Sequence, residues 1–137
     1  MYEHGALALE AKDVMTPGVV TVADDATLAE AVDVMADHRI HAVLVVDRET
    51  GTPLGWITAR GLLAMVGCDP ELLAIDVIDE KPRSIEPDAT LRAAIYALAL
   101  PGVTRLLVRP REHASPVGVI SDYDLTVKAA RLSRHPA

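Results

Sequence analysis

Pro53-Leu54-Gly55-Trp56-Ile57-Thr58-Ala59-Arg60-Gly61-Leu62 returns 63 positions later as Pro116-Val117-Gly118-Val119-Ile120-Ser121-Asp122-Tyr123-Asp124-Leu125. The two stretches share Pro-x-Gly-x-Ile, then a hydroxyl residue, then a leucine four positions on. The same offset extends outward without a gap and carries residues 13–64 onto 76–127. Asp13-Val14 falls on Asp76-Val77, Asp25-Ala26-Thr27-Leu28 on Asp88-Ala89-Thr90-Leu91, and Arg48-Glu49 on Arg111-Glu112. A duplication this long is a whole supersecondary unit, and two copies can share a core across a pseudo-two-fold axis. Grooves between such halves are natural ligand sites, which leans towards binding rather than catalysis.

Each copy reads strand, helix, strand, strand, helix. In the first, Val19 to Val22 is a short strand and Thr27 with Glu30 forms a capping box. Leu28, Ala31, Val32 and Met35 then place one apolar stripe on a helix, matched by Leu91, Ala94, Ile95 and Leu98. Ala42 to Val46 is a β-branched run that suits a strand buried on both faces, with Val103 to Val108 as its counterpart. Pro53 to Thr58 and Pro116 to Ser121 are the next strands. A helix from Arg60 stops near Gly67, and its twin from Asp122 runs to about Leu132. Asp69-Pro70 caps a linking helix over Glu71 to Ile75, Ala6 to Ala11 suits a turn or two of helix, and Ser133 to Ala137 is expected to fray. The fold class is therefore α+β, two β-α-β-β-α repeats over residues 8–67 and 71–132.

At 137 residues the chain is long enough to bury one core, and with no Phe and a single Trp that core is aliphatic. A formal charge of -7 argues against nucleic acid, since neutralising phosphates needs a basic surface. The lone Cys68 excludes an internal disulfide and fits a reducing, cytoplasmic compartment. No signal peptide and no bilayer-spanning apolar run is visible, so no membrane partner is expected.

The Asp13-Val14-Met15-Thr16-Pro17 start, the Asp-Ala-Thr-Leu helix openings, the Val-rich strands and Gly118 to Leu125 together resemble the cystathionine-β-synthase (CBS) domain. Two in tandem resemble a CBS pair, or Bateman module, of the stand-alone type. The resemblance implies a non-catalytic sensor whose inter-repeat clefts bind adenosine-containing ligands such as AMP, ADP, ATP or S-adenosylmethionine. It also implies regulation of a partner protein, not identified by the sequence, and head-to-head pairing into a homodimer. The stripe Leu125, Ala129, Leu132 on the last helix is a candidate dimer surface.

Family sites use Ser/Thr-x-x-Asp after the third strand, and Ser121-x-x-Asp124 matches it in full. The hydroxyl and the free N–H groups of a first helical turn suit a phosphate, and a carboxylate suits two vicinal ribose hydroxyls. The same four residues are equally an ordinary helix cap. The first repeat has Thr58-Ala59-Arg60-Gly61, with Gly61 in place of the carboxylate. A ribose there forfeits a charge-assisted hydrogen bond worth roughly 1.5–3 kcal/mol, about tenfold or more in affinity. Thr58, Arg60 and His41 thus form a degenerate second site. Family members that hold AMP often carry His-Arg-Leu on the second strand; here His41 keeps one half and Arg105 the other. Arg105 is the stronger phosphate candidate, because guanidinium is always charged and grips two oxygens. The resemblance places adenine against Ile78, Ser84, Ile85, Val103 and Val119, positions that plain aliphatic core fills equally well.

Catalytic and metal chemistry find no constellation. The histidines at 4, 38, 41, 113 and 135 lack zinc spacing, and there is no nucleophile elbow or Walker loop. Asp69, Asp76, Asp79 and Glu80 read as a solvated acidic face. The expected function is an adenine-nucleotide sensor without a cofactor. The alternatives are a structural dimerisation module with a decayed pocket, or an S-adenosylmethionine sensor.

Overall fold

The computed structural model describes residues 9–134, excepting the side chains of 132–134. Along the chain come α1 (Ala11–Val14), β1 (Thr16–Pro17), β2 (Thr21–Ala23), α2 (Leu28–His38), β3 (Ala42–Val46), β4 (Pro53–Thr58) and α3 (Ala59–Leu63). A 3-10 turn (Ala74–Val77) follows, then β5 (Ser84–Ile85), α4 (Leu91–Leu98), β6 (Arg105–Val108), β7 (Gly118–Ser121) and α5 (Asp122–Arg134). Both repeats are thus β-α-β-β-α. The chain packs as two compact units, one of residues 19–82, the other of the residues up to Gly18 with those from Arg83 onward.

In the unit of residues 19–82 the sheet order is β2-β3-β4, with β2 parallel and β4 antiparallel to β3. Thr27 starts α2 as predicted: its hydroxyl accepts from Glu30 N–H at 3.1 Å, and Glu30 reaches back to complete the box. The buried stripe is Leu28, Ala31 and Met35, set against Val43, Val45 and Ile57 from one sheet face. Val32, expected in that stripe, is 42% exposed. It lies at the stripe's edge, where an i+4 step drifts about 40° round a helix of 3.6 residues per turn. Asp47 closes the β3–β4 turn, its Oδ1 accepting from the N–H groups of Glu49 and Thr50. Those bonds, Thr50's first, hold its carboxyl below its ordinary range.

The other unit repeats this plan in the order β1-β7-β6-β5. The register keeps the 63-residue offset: Thr21 pairs Leu44 as Ser84 pairs Leu107, and Ala42 pairs Thr58 as Arg105 pairs Ser121. Its core joins Leu91, Ala94, Leu106, Val108, Ile120 and Leu125 to Ala11 and Val14 from the chain's start. Ile95 is 41% exposed, matching Val32. Leu125 is buried and Ala129 packs beside it, so the stripe predicted as a dimer surface faces this unit's own core; Leu132's side chain lies outside the described residues.

Each unit therefore combines one repeat with the segment that precedes the other repeat. Ala11 N–H donates to Ala89 O and Lys12 N–H to Pro87 O, while Leu91 N–H donates to Leu9 O. In the other unit Ala74 N–H donates to Ala26 O, Ile75 N–H to Asp24 O and Leu28 N–H to Leu72 O. These bonds explain why the linking helix predicted over Glu71–Ile75 is replaced by one short turn over Ala74–Val77. Backbone groups that docking engages elsewhere are not available to an α-helical ladder. The helix predicted from Arg60 to Gly67 is likewise shorter, Ala59–Leu63, and the strand predicted from Val19 begins at Thr21. The helical turn expected over Ala6 to Ala11 falls mostly outside the described residues, as does the tail; α1 begins at Ala11.

The repeated glycine of Pro-x-Gly-x-Ile has a packing cause. A Cβ on Gly118 would meet Met15 Sδ at 2.5 Å and the carbonyl oxygen of Thr16 at 2.8 Å. On Gly55 it would overlap Ile78 Cγ2 and approach the Glu80 carbonyl at 3.0 Å. In each unit the leading segment crosses this strand at the glycine, and only hydrogen fits beneath it.

Candidate functional site

Pairing places the predicted residues on faces. Thr16 pairs Val119, Val119 pairs Leu107 and Leu107 pairs Ser84, making one row across all four strands. Two positions along β6 and β7, Arg105 pairs Ser121. Directly opposed residues share a face and faces alternate along a strand. Ser84, Val119, Arg105 and Ser121 therefore lie on one side of the sheet. Leu106, Val108 and Ile120, the helix-packed core, lie on the other.

The remaining candidates separate. Ile85 packs against the core on the helical side, and Val103, 6% exposed, belongs to that core. Ile78 sits in the other unit, beside Gly55. The structure thus brings four of the named ligand residues to one face, with Asp124 at its end. Pairing also adds Leu107 and Thr16, which sequence reading passed over because their rank in the row depends on register.

Ser121 ends β7 and its hydroxyl accepts from Asp124 N–H at 3.1 Å, capping α5. Asp122 N–H donates to Thr104 O at 2.8 Å, which fixes the strand-to-helix corner. The capping role is real, and it uses only the oxygen of the hydroxyl. Among the described residues the Ser121 proton has no acceptor and the half-buried Asp124 carboxylate has no hydrogen-bond or ionic partner. Arg105 is half-buried, and its Nε donates to Thr104 Oγ1 at 3.1 Å. A hydroxyl proton, a carboxylate and a guanidinium on one face form a donor–acceptor–cation set for a polar ligand.

The first repeat's corner keeps the capping hydroxyl and differs in the other groups. Thr58 Oγ accepts from Gly61 N–H at 3.0 Å, as a cap, but its own proton goes to Asp79 Oδ2 at 2.8 Å. Ala42 stands at the offset position of Arg105, so no cation pairs with Thr58. Arg60 and His41 are exposed; the His41 carbonyl accepts from Ala59 N–H at 2.7 Å. The expected solvated acidic face near the linker is corrected at Glu80, which is buried; Asp79 is exposed, and its carboxylate also accepts from Thr58. Thr16 lies 63 positions before Asp79, and that comparison was the signal available in the sequence. A shallow concavity over the Asp25–Arg48 ion pair, bordered by Val22, Glu30 and Val34, contains none of the candidate residues.

The CBS domain model matches twice, over residues 11–67 and 74–130. The chain belongs to the CBS domain family. Pairs of this domain are generally regulatory, non-catalytic modules. The uncharacterized protein MJ1404 of Methanocaldococcus jannaschii is 28% identical over 121 residues, 88% of this chain and 28% of that protein. The chain therefore spans less than a third of that curated relative. Among solved structures, the CBS domain of the bacterial CNNM/CorC family Mg2+ transporter in complex with ATP has a TM-score of 0.77 at 18% identity, covering 91% of this chain and 89% of that one. The CBS domain protein PAE2072 from Pyrobaculum aerophilum complexed with AMP has a TM-score of 0.76 at 17% identity, covering 90% and 99%. These likenesses show the fold. No helix among the described residues is long and apolar enough to cross a membrane, and no group of metal-ligating side chains is found among them.

Proposed function

We propose that this CBS pair is a regulatory module that binds an adenosine-containing ligand, of the AMP, ADP or ATP class, at the Ser121–Asp124 corner. The observation that carries this reading is the open Ser121 proton beside an open Asp124 carboxylate, with Arg105 across the strand pair. Asp124 accepts the two ribose hydroxyls, Arg105 and the Ser121 hydroxyl take phosphate oxygens, and Val119 offers apolar surface to the base. Two proteins of the same fold are complexed with such ligands, PAE2072 with AMP and the transporter's CBS domain with ATP. Binding shifts the module between conformations only by its difference in affinity for them, and a partner protein or a second copy of the chain reads that shift.

The second reading is a structural dimerisation module with a decayed pocket, and the capping bond of Ser121 favours it. Equilibrium dialysis with AMP, ADP, ATP and S-adenosylmethionine separates the two. Sensing predicts saturable binding of an adenine nucleotide that Asp124→Ala weakens by about tenfold or more, the size of one charge-assisted hydrogen bond. Saturation by S-adenosylmethionine but by no nucleotide reassigns the ligand. No binding of any of the four at millimolar concentration leaves the structural module standing.

A further inference from the structure

Each half of the duplication carries a carboxylate close to its corner hydroxyl, but on opposite sides. By the 63-residue offset Thr58 matches Ser121, Gly61 matches Asp124 and Asp79 matches Thr16. In the C-terminal half the helix bears the carboxylate and the crossing strand bears a hydroxyl. In the N-terminal half the helix bears nothing and the crossing segment bears the acid. We infer that Asp79 closes the ligand position of the N-terminal repeat by carrying its carboxylate into the space that a side chain at residue 61 would fill.

The geometry is specific. Asp79 N–H donates to Trp56 O at 2.9 Å, which anchors its backbone against β4. Its Oδ2 accepts the Thr58 hydroxyl proton at 2.8 Å and faces Thr58 N–H at 3.3 Å. A Cβ built on Gly61 would coincide with that carboxylate. Thr58, which also caps α3 through Gly61 N–H, therefore has its proton and one acceptor lone pair engaged within the protein. The row beneath is filled as well: Trp56, 2% exposed, stands where the C-terminal half has half-buried Val119. Gly61 is thus more than a lost carboxylate, since its missing side chain leaves the space that the Asp79 carboxylate occupies.

The inference rests on the sensing reading for its ligand and on packing for its mechanism, and the test reads them separately. Titration calorimetry with ATP and with AMP is expected to give at most one site per chain. The transposed variant Ala42→Arg/Trp56→Val/Gly61→Asp/Asp79→Thr, which copies the C-terminal arrangement, is expected to gain one. A native stoichiometry of two, or a transposed variant that gains nothing while the native corner binds, overturns the closure. Melting without ligand supplies the second readout. Gly61→Ala is expected to lower the melting temperature by several degrees with Asp79 present and by much less in the Asp79→Thr background. Equal losses in both backgrounds overturn the packing claim whether or not any nucleotide binds. Coupled melting with no nucleotide bound by any variant supports the packing and sinks the sensing reading instead.

Discussion

Gly118 shows how one residue type is set by a crossing two segments away. Gly118→Ala places a methyl 2.8 Å from a backbone oxygen that β1 pairing holds in place. A loss of about 1–3 kcal/mol in urea unfolding is expected, the usual result of overpacking. Arg39 is the opposite case. It ends α2 in the left-handed region at φ 54°, where its offset partner, Gly102, sits at φ 78°. Left-handed backbone costs a side-chain-bearing residue about 1–2 kcal/mol, part of which glycine returns as unfolded-state entropy. Arg39→Gly is therefore expected to raise stability by about 0.5–1 kcal/mol, and a lower denaturation midpoint would count against the strain. Both glycines of Pro-x-Gly-x-Ile were visible as a repeat in the sequence. Their reason was not, because the residues they make room for, Met15 and Ile78, lie far away along the chain. The bond of Asp79 was illegible for the same cause: its residue is exposed, and only the fold brings Thr58 to its carboxylate.

The elements followed local signals where local signals suffice. Thr27 and Thr90 cap their helices through Glu30 N–H and Ala93 N–H, as the two Asp-Ala-Thr-Leu openings imply. The run Ala42–Val46 is a strand over those same residues. The failures cluster at 71–77, where docking onto the start of α2 took the backbone groups that a helix needs. Asp47 gives the β3–β4 turn a pH signature. Its folded carboxyl lies below the ordinary 3.8 because Thr50 and Glu49 N–H groups stabilise its charge. A depressed folded value means the contribution is fully present above the unfolded value and is lost as pH falls through the folded one. The stability advantage of the wild type over Asp47→Ala should therefore hold from pH 7 to about 5 and shrink below about 4. An advantage that stays constant down to pH 2.5 would remove the turn's charge from the account.

Within the whole chain, repeat and packing unit do not coincide. Ala11 and Val14 are buried among Leu91, Leu106 and Ile120, and β1 pairs β7. Burying Val14 by itself contributes roughly 1.5–3 kcal/mol. Deleting the chain through Gly18 should strip hydrogen-exchange protection from β6, β7 and α4 while β3 and β4 keep theirs. Equal loss in residues 42–58 would contradict the exchange of leading segments. The deletion also removes Thr16 from the row that carries Val119 and Ser84, so the C-terminal corner is completed by the chain's beginning.

Periodicity and the 63-residue offset were enough, unaided, for the β-α-β-β-α plan, while the resemblance of the quoted motifs pointed to the family and to the Ser121–Asp124 corner. The plan rests on order along the chain, on side-chain alternation and on helical stripes, which neighbouring residues encode. Which leading segment docks on which repeat, which candidates share a sheet face, and that Asp79 fills the place beside Gly61 were decided only by tertiary structure. Those facts depend on contacts between residues as near as Leu107 and Val119 and as far apart as Thr16 and Val119, and nothing local marks the exposed carboxylate that will also meet a threonine.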